Sequence, residues 1–175
     1  MKIMLKSIGL LITGLLVAVI IYPLLHELGH SIMAVLVGAS VLELKLFPIP
    51  YVLCSTDGTD MVGQVIIGTG GIILPLIISQ IKTGSNFWLW YTRLLLKGIS
   101  VLALIISAIS TILFLKGNPL PNDDTTQILQ IWPNGIWIIL LLSVVMSVII
   151  SVSIVKEKPL IKCTDFYIKD KANAS

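Results

Sequence analysis

The chain has 175 residues, of which 56% are hydrophobic and only 12% are charged. A water-soluble domain usually carries about 25% charged residues, so this composition predicts an integral membrane protein. The net charge of +3 is small and scattered along the chain, which argues against a basic nucleic-acid-binding surface. The two cysteines, Cys54 and Cys163, match no zinc or redox spacing and do not predict a disulfide framework.

The first predicted membrane helix runs from about residue 5 to residue 38. Its start is similar to a signal peptide, but the apolar run from Ile8 to Leu25 is longer than the core of such a peptide, so we predict a retained helix. A single helix of this length would measure about 50 Å, against a hydrocarbon core of about 30 Å, and must therefore tilt, kink or protrude. Pro23 predicts a kink, because it has no N–H to offer the carbonyl of Val19.

The second half of this helix contains the sequence His26-Glu27-Leu28-Gly29-His30, and these two histidines are the only ones in the chain. Residues four apart share one face of a helix, so His26 and His30 can bind one metal ion together. Glu27 is one position away and can reach a water molecule at that metal. This is the H-E-x-x-H arrangement of zinc hydrolases, with two ligands and a general base. Ionisable groups inside a membrane segment are costly and indicate a function.

A β-hairpin and a second membrane helix follow. Residues 41–47 alternate between apolar and polar side chains and predict a strand, with residues 51–54 as its return partner. The second membrane helix is predicted at residues 61–81. Its small residues favour close packing of another helix, and we interpret its glycines in that way, namely Gly63, Gly68, Gly70 and Gly71.

Two further helices complete the prediction of an all-α polytopic membrane protein, with about four transmembrane helices and a small membrane-associated β-hairpin after the first. The third helix is predicted at residues 87–115, with Trp88 and Trp90 at the interface. The fourth starts near residue 128 or residue 136, because Pro133 and Gly135 blur its beginning, and ends near residue 155. A polar tail follows at residues 156–175.

Four crossings would place both termini on one side of the membrane. The positive-inside rule assigns that side to the cytoplasm, because it collects most of the lysines, namely Lys2, Lys6, Lys82, Lys156, Lys158 and Lys162. We therefore expect a multi-pass protein of the plasma membrane with cytoplasmic termini. In either orientation, the histidines and the end of the third helix lie toward the side of the membrane opposite the termini. The residues that follow the third helix can therefore meet the histidines.

A catalytic zinc ion usually has three protein ligands and one position open to water. No third histidine exists, so the remaining ligand must be a carboxylate or a cysteine. Asp123 and Asp124 follow the third helix and are the best candidates. Asp57 and Asp60 share the same side but lie in a turn-rich loop, and Cys54 is a weaker option.

Two motifs resemble those of the site-2 proteases, which are intramembrane zinc metalloproteases. His26-Glu27-Leu28-Gly29-His30-Ser31 fits the family's first motif. Asn118-Pro119-Leu120-Pro121, followed by residues 123–129, is similar to the second motif, in which an Asp-Gly-Gly-x-x-Leu pattern supplies the third ligand. Alignment on this pattern implies that Asp124 is the ligand, with Thr125 and Thr126 where the family has glycines. That departure keeps Asp123 as the alternative.

The resemblance implies an enzyme that hydrolyses peptide bonds in or near transmembrane segments. Zn²⁺ would be bound by His26, His30 and Asp124, with Glu27 as the general base and Asn118 in contact with the substrate backbone. The hairpin would hold the substrate as an added strand. The expected partners are the lipid bilayer and a membrane-protein or membrane-peptide substrate, and the sequence carries no signal for the oligomeric state. Residues 1–155 would form the membrane-embedded metalloprotease core, and residues 156–175 the tail. The alternative is a non-catalytic relative that binds metal in the membrane.

Overall fold

The computed structural model describes residues 2–172. Residues 173–175, the end of the predicted polar tail, lie outside the described residues, as does the side chain of Lys2, which we counted among the cytoplasmic charges. The elements within the described range are α1 (Lys2–Leu16), a π-helical turn (Val17–Ile21), α2 (Tyr22–Leu36), β1 (Ser40–Lys45), β2 (Tyr51–Ser55), α3 (Met61–Gln80), α4 (Phe87–Leu115), α5 (Asp124–Ile131), a 3₁₀ turn (Pro133–Gly135), α6 (Ile136–Lys156) and α7 (Pro159–Ala172).

Four helical stretches of the described chain are long and apolar enough to cross a membrane, at Met4–Leu36, Met61–Gln80, Phe87–Leu115 and Pro133–Ile168. Their large apolar side chains are mostly exposed at the surface of the molecule, as expected of helices that face lipid. The predicted all-α polytopic fold with four membrane helices is confirmed, and the protein is an integral, multi-pass membrane protein.

The irregularity that we predicted at Pro23 takes the form of a widened helical turn just before it. Residues 17–21 are π-helical, and the N–H of Tyr22 donates to the carbonyl of Val17, five residues earlier. Pro23 then occupies the first turn of α2, where a missing N–H costs little. The helical backbone therefore continues from α1 through the π turn into α2.

The predicted hairpin is confirmed, within one to two residues at its ends. β1 and β2 pair antiparallel from Ser40↔Ser55 to Lys45↔Tyr51, with a bulge between Val41 and Glu43. The connection between the strands exposes two large apolar side chains, Phe47 at 82% and Ile49 at 76%. Such exposed apolar groups suit a membrane-associated hairpin.

Helices α2 and α3 pack most closely where glycines of both face each other. A Cβ atom at Gly70 would lie 2.5 Å from the carbonyl oxygen of Gly29, and a Cβ at Gly29 would collide with the backbone of Gly70. The absence of side chains brings the two backbones into contact. This close approach agrees with the packing interpretation for Gly70, and it places the histidine motif against α3.

The chain after α4 differs in detail from the sequence prediction. A short helix, α5, forms separately, and α6 starts at Ile136 because Pro133 and Gly135 form a 3₁₀ turn between the two.

The polar tail contains a helix, α7, with Pro159 at its first position, where proline is favoured. The Phe166 ring stacks on Phe87 at 3.8 Å between centroids, and Lys6 donates to the Phe166 carbonyl. The start of α1 and α7 therefore lie at the same end of the molecule, as four crossings require.

Candidate metal centre

Helix α2 presents the two histidines on one face, where α3 orients one of the rings. The Nδ1–H of His30 donates to the carbonyl of Ile67 at 2.8 Å. A carbonyl oxygen can only accept, so this bond puts the ring proton on Nδ1 and leaves Nε2 as a free lone pair. His30 is buried, with 7% of its surface exposed. The packing of α2 on α3 thus prepares one nitrogen of this ring for a ligand.

Helix α5 brings the third donor. The Asp124 Oδ2 atom lies 3.0 Å from Nε2 of His26 and 3.3 Å from Nε2 of His30, and the two nitrogens are 3.1 Å apart. Donor atoms of a tetrahedral zinc site, each about 2.0–2.1 Å from the metal, are separated by roughly 3.3 Å. The three side chains are therefore already spaced as zinc ligands would be. Two imidazoles and one carboxylate are also a donor set of catalytic zinc.

Space for this cluster depends on Gly71 of α3. A Cβ atom there would lie 2.5 Å from Nε2 of His30 and 2.6 Å from Nδ1 of His26. The two rings thus fill the volume that a side chain would take, and the site fits a zinc ion through its donors and through this glycine cradle. The sequence prediction did not single out Gly71 or the Ile67 carbonyl for the site. For Gly71, the available signal was the glycine-rich stretch of the second membrane helix.

The structure separates Asp124 from the other candidates for the third ligand. Asp123 is the N-cap of α5, where its Oδ2 accepts from the N–H of Thr126 at 2.9 Å and from Ser110 Oγ at 2.5 Å. Asp60 caps α3 through the N–H of Gly63 at 2.8 Å, and Asp57 is exposed beside Ser55. Within residues 2–172, the group that can hold a metal ion consists of His26, His30 and Asp124.

The pKa shifts of Asp124 and Cys54 also favour Asp124 as the third ligand. Burial alone would raise the pKa of Asp124, but its pairing with the side chains of His26 and His30 holds this pKa well below its usual range, so the carboxyl is an anion. Burial, and next the nearby Glu27, raise the pKa of the Cys54 thiol. A neutral thiol is a poor metal ligand. The carboxylate of Asp124 is therefore the better third donor on chemical as well as geometric grounds.

Glu27 faces an open cavity of about 280 Å³ whose walls come from α2, β2, α3 and α5, including Glu27, His30, Val52, Gln64, Asp124 and Ile128. Glu27 of α2 and Val52 of β2 thus line the same cavity. One cavity is therefore lined by the Glu27 carboxylate, by two of the candidate metal ligands and by residues of a β-strand. Hydrolysis of an extended peptide would need these three features together.

Asn118 is placed apart from this cavity. It lies exposed in the connection between α4 and α5, and its amide makes a long contact of 3.5 Å to the carbonyl of Lys116. The structure therefore brings together His26, Glu27, His30 and Asp124 but not Asn118. The roles of all these residues stay predictions.

A comparison with protein families matches residues 10–116 to the model of the Peptidase M50B-like family. Curated proteins and solved structures gave no match. The matched range contains His26, Glu27 and His30 and ends before Asp123 and Asp124. It covers more than half of the chain and agrees with the resemblance to site-2 proteases, whose family is generally zinc-dependent. The chain therefore belongs to the Peptidase M50B-like family, which suggests that it is a membrane metalloprotease.

Proposed function

We propose that the protein is an intramembrane zinc metalloprotease that hydrolyses peptide bonds in or near transmembrane segments. His26, His30 and Asp124 would bind Zn²⁺, and Glu27 would act as the general base. The main support is the convergence of three donor atoms from α2 and α5, at 3.0 to 3.3 Å from one another, beside the Glu27 cavity. The two elements lie far apart in sequence, so this convergence is a product of the fold.

The proposed chemistry assigns one task to each group. A bound zinc ion supplies a Lewis acid that activates water and polarises a peptide carbonyl near neutral pH. The Glu27 carboxylate takes a proton from the attacking water and then delivers it to the amide nitrogen as the C–N bond breaks. The Ile67 carbonyl holds the proton of His30 on Nδ1, so that Nε2 keeps its lone pair throughout the reaction.

The proposed substrate is a membrane protein or membrane peptide. A transmembrane helix satisfies its own backbone groups, so it must unwind locally before a peptide bond can be cut. β2 forms one wall of the cavity, and a cleaved segment that pairs with this hairpin would be held extended. The predicted contact of Asn118 with substrate rests on the family resemblance alone.

We also propose that the protein lies in the plasma membrane with its termini in the cytoplasm. The support is the distribution of lysines, with Lys6, Lys82, Lys156, Lys158 and Lys162 at the end of the molecule that holds α7. Labelling of Cys163 in α7, compared with a cysteine introduced near Asp57, tests the orientation in intact cells. An impermeant reagent should label the introduced cysteine and spare Cys163, and the reverse pattern would invert the topology.

The proposed activity is tested with purified protein and a synthetic transmembrane peptide in detergent micelles. Glu27→Gln should keep its zinc and lose the activity by about a factor of 10² to 10⁴. The matched control is Asp165→Asn, an exposed residue of α7 that lies outside the hairpin and the cavity, and this variant should cleave like the parent. If the parent binds zinc but does not cut, the protein is the non-catalytic metal-binding relative. If Glu27→Gln cuts at the full rate, Glu27 is not the base.

A further inference from the structure

The first turn of α5, which carries Asp124, is held on α4 by side-chain hydrogen bonds. Ser110 Oγ donates to Asp123 Oδ2 at 2.5 Å and lies 3.1 Å from Thr126 Oγ1. Thr125 Oγ1 donates to Ser107 Oγ at 2.9 Å. These bonds engage the residues on both sides of Asp124. The orientation of the Asp124 side chain is therefore tied to two serines of a neighbouring membrane helix.

All the hydroxyl groups in this network are buried. The exposed fraction is 6% for Ser107, 0% for Ser110, 5% for Thr125 and 4% for Thr126. The network also reaches α6, because Ser143 Oγ donates to Ser107 Oγ at 3.1 Å. Hydrogen bonds in an apolar interior are strong and directional, whereas apolar contacts would allow α5 to rotate or slide. Bonds of this kind fix a short helix in one orientation.

Helix α5 needs such support, because it has only 8 residues and a helix of that length is marginal by itself. It also occupies the stretch in which the chain departs from the second family motif. The two positions where the family has glycines are Thr125 and Thr126, and both side chains take part in the network. In this chain, hydroxyl groups that pair with α4 occupy those positions.

We propose that Ser107 and Ser110 are positioning residues, which hold the Asp124 carboxylate at the metal centre by fixing the first turn of α5. The inference rests on the proposed zinc centre and goes beyond its ligands. The serines do not line the cavity of Glu27 and do not belong to the group of candidate metal ligands. Their effect should therefore appear in the metal affinity and in the geometry of the bound ion.

The most selective test uses a matched pair of substitutions at Thr125. Thr125→Val keeps the shape of the side chain and removes the hydroxyl, whereas Thr125→Ser keeps the hydroxyl and removes a methyl group. With a chelator competing for zinc, we expect Thr125→Val to weaken zinc binding about tenfold, the lower end of the effect of removing a supporting hydrogen bond. Thr125→Ser should bind zinc like the parent.

Ser107→Ala tests the other partner of the same bond. It should weaken zinc binding at least as much as Thr125→Val does, because it also removes the bond from Ser143. The double variant should lose little more than Ser107→Ala alone, since both substitutions remove the bond between Thr125 and Ser107. Ser79→Ala is the control, because this fully buried hydroxyl donates to the carbonyl of Leu76 and accepts from the Gln80 amide, both in its own helix. It should leave the zinc affinity unchanged.

Cobalt(II) in place of zinc adds a readout that simple destabilisation would not move. Its visible absorption spectrum should change in Thr125→Val and remain parental in Thr125→Ser and Ser79→Ala. Parental affinity and spectrum in Thr125→Val would overturn the positioning role alone, and so would an equal loss of affinity in Ser79→Ala. If the parent binds neither zinc nor cobalt, the proposed metal centre fails and this inference fails with it. Should Ser107→Ala not fold, the Thr125 pair decides the question.

Discussion

Asp123 and Asp124 are adjacent carboxylates with different surroundings. Asp123 accepts from the N–H of Thr126 and from Ser110, which is the bonding of an N-cap. Asp124 instead meets Nε2 of both histidines. Asp123 has the extended backbone of an N-cap (φ −100°, ψ 133°), whereas Asp124 is the first residue of the helix. The geometry thus gives Asp123 the capping role and leaves Asp124 as the proposed metal ligand.

This division predicts opposite effects of one substitution at the two positions. Asp124→Asn should weaken zinc binding by more than about a hundredfold, because it removes a charged donor. Asp123→Asn should bind zinc to within about tenfold of the parent, because asparagine caps a helix as well as aspartate does. Zinc titration against a chelator measures both. A larger loss at Asp123 than at Asp124 would make Asp123 the ligand.

At the scale of elements, the contact between α2 and α3 decides where the histidines lie. Gly29 and Gly70 let the two backbones touch, and the bond from His30 to the Ile67 carbonyl spans the same contact. A side chain at Gly29 has no space, since its Cβ would meet the backbone of Gly70. The close approach of the helices and the orientation of His30 therefore depend on the same glycine.

Gly29→Ala should destabilise the protein by about 1–3 kcal/mol, the usual cost of overpacking, and should also weaken zinc binding. Gly98→Ala in α4 is the matched control, because a Cβ there meets no atom within 4 Å. Alanine is the better helix former, so the control should be neutral or slightly stabilising. Thermal unfolding in detergent measures the difference, and equal melting temperatures for the two variants would refute the packing argument.

The sequence predicts those elements whose signal is local. Long apolar runs located the membrane helices, alternation located the hairpin, and the four-residue spacing of His26 and His30 put both on one helix face. Asp124 was chosen over Asp123 by motif alignment, not by geometry. The separate helix α5, the hydroxyl network and α7 were not predicted, because each depends on contacts between segments far apart in the chain. The π turn before Pro23 was expected only as a kink.

At the scale of the whole molecule, ion pairs and hydrogen bonds stabilise the end opposite the proposed metal centre. The carboxylate of Glu157 accepts from Arg93 at 2.5 Å, from Lys97 at 2.6 Å and from the Trp90 indole at 2.8 Å. Lys97 is buried, with 3% of its surface exposed, and also donates to Ser153 at 2.9 Å. These bonds join the start of α4 to the end of α6. Glu157 is distant in sequence from α4, so local sequence patterns do not predict this cluster.

Removal of the shared carboxylate should destabilise this end strongly. Glu157→Gln leaves a buried lysine and a partly buried arginine without their anion, which costs about 3–5 kcal/mol for a buried pair. Glu43→Gln on the exposed hairpin should change the free energy of unfolding by no more than about 0.5 kcal/mol. Unfolding in detergent compares the two variants. A parental melting temperature in Glu157→Gln would show that the cluster adds nothing to stability.

The central claim is that His26, His30 and Asp124 form a zinc centre, and X-ray absorption at the zinc edge of the purified protein tests it most directly. Nearest-neighbour distances of about 2.0–2.1 Å are predicted, with the scattering pattern of two imidazole rings, oxygen in the remaining positions and no sulfur. Asp124→Asn should alter or abolish this spectrum. A sulfur neighbour at about 2.3 Å, a single imidazole, or purified protein that holds no zinc would contradict the account.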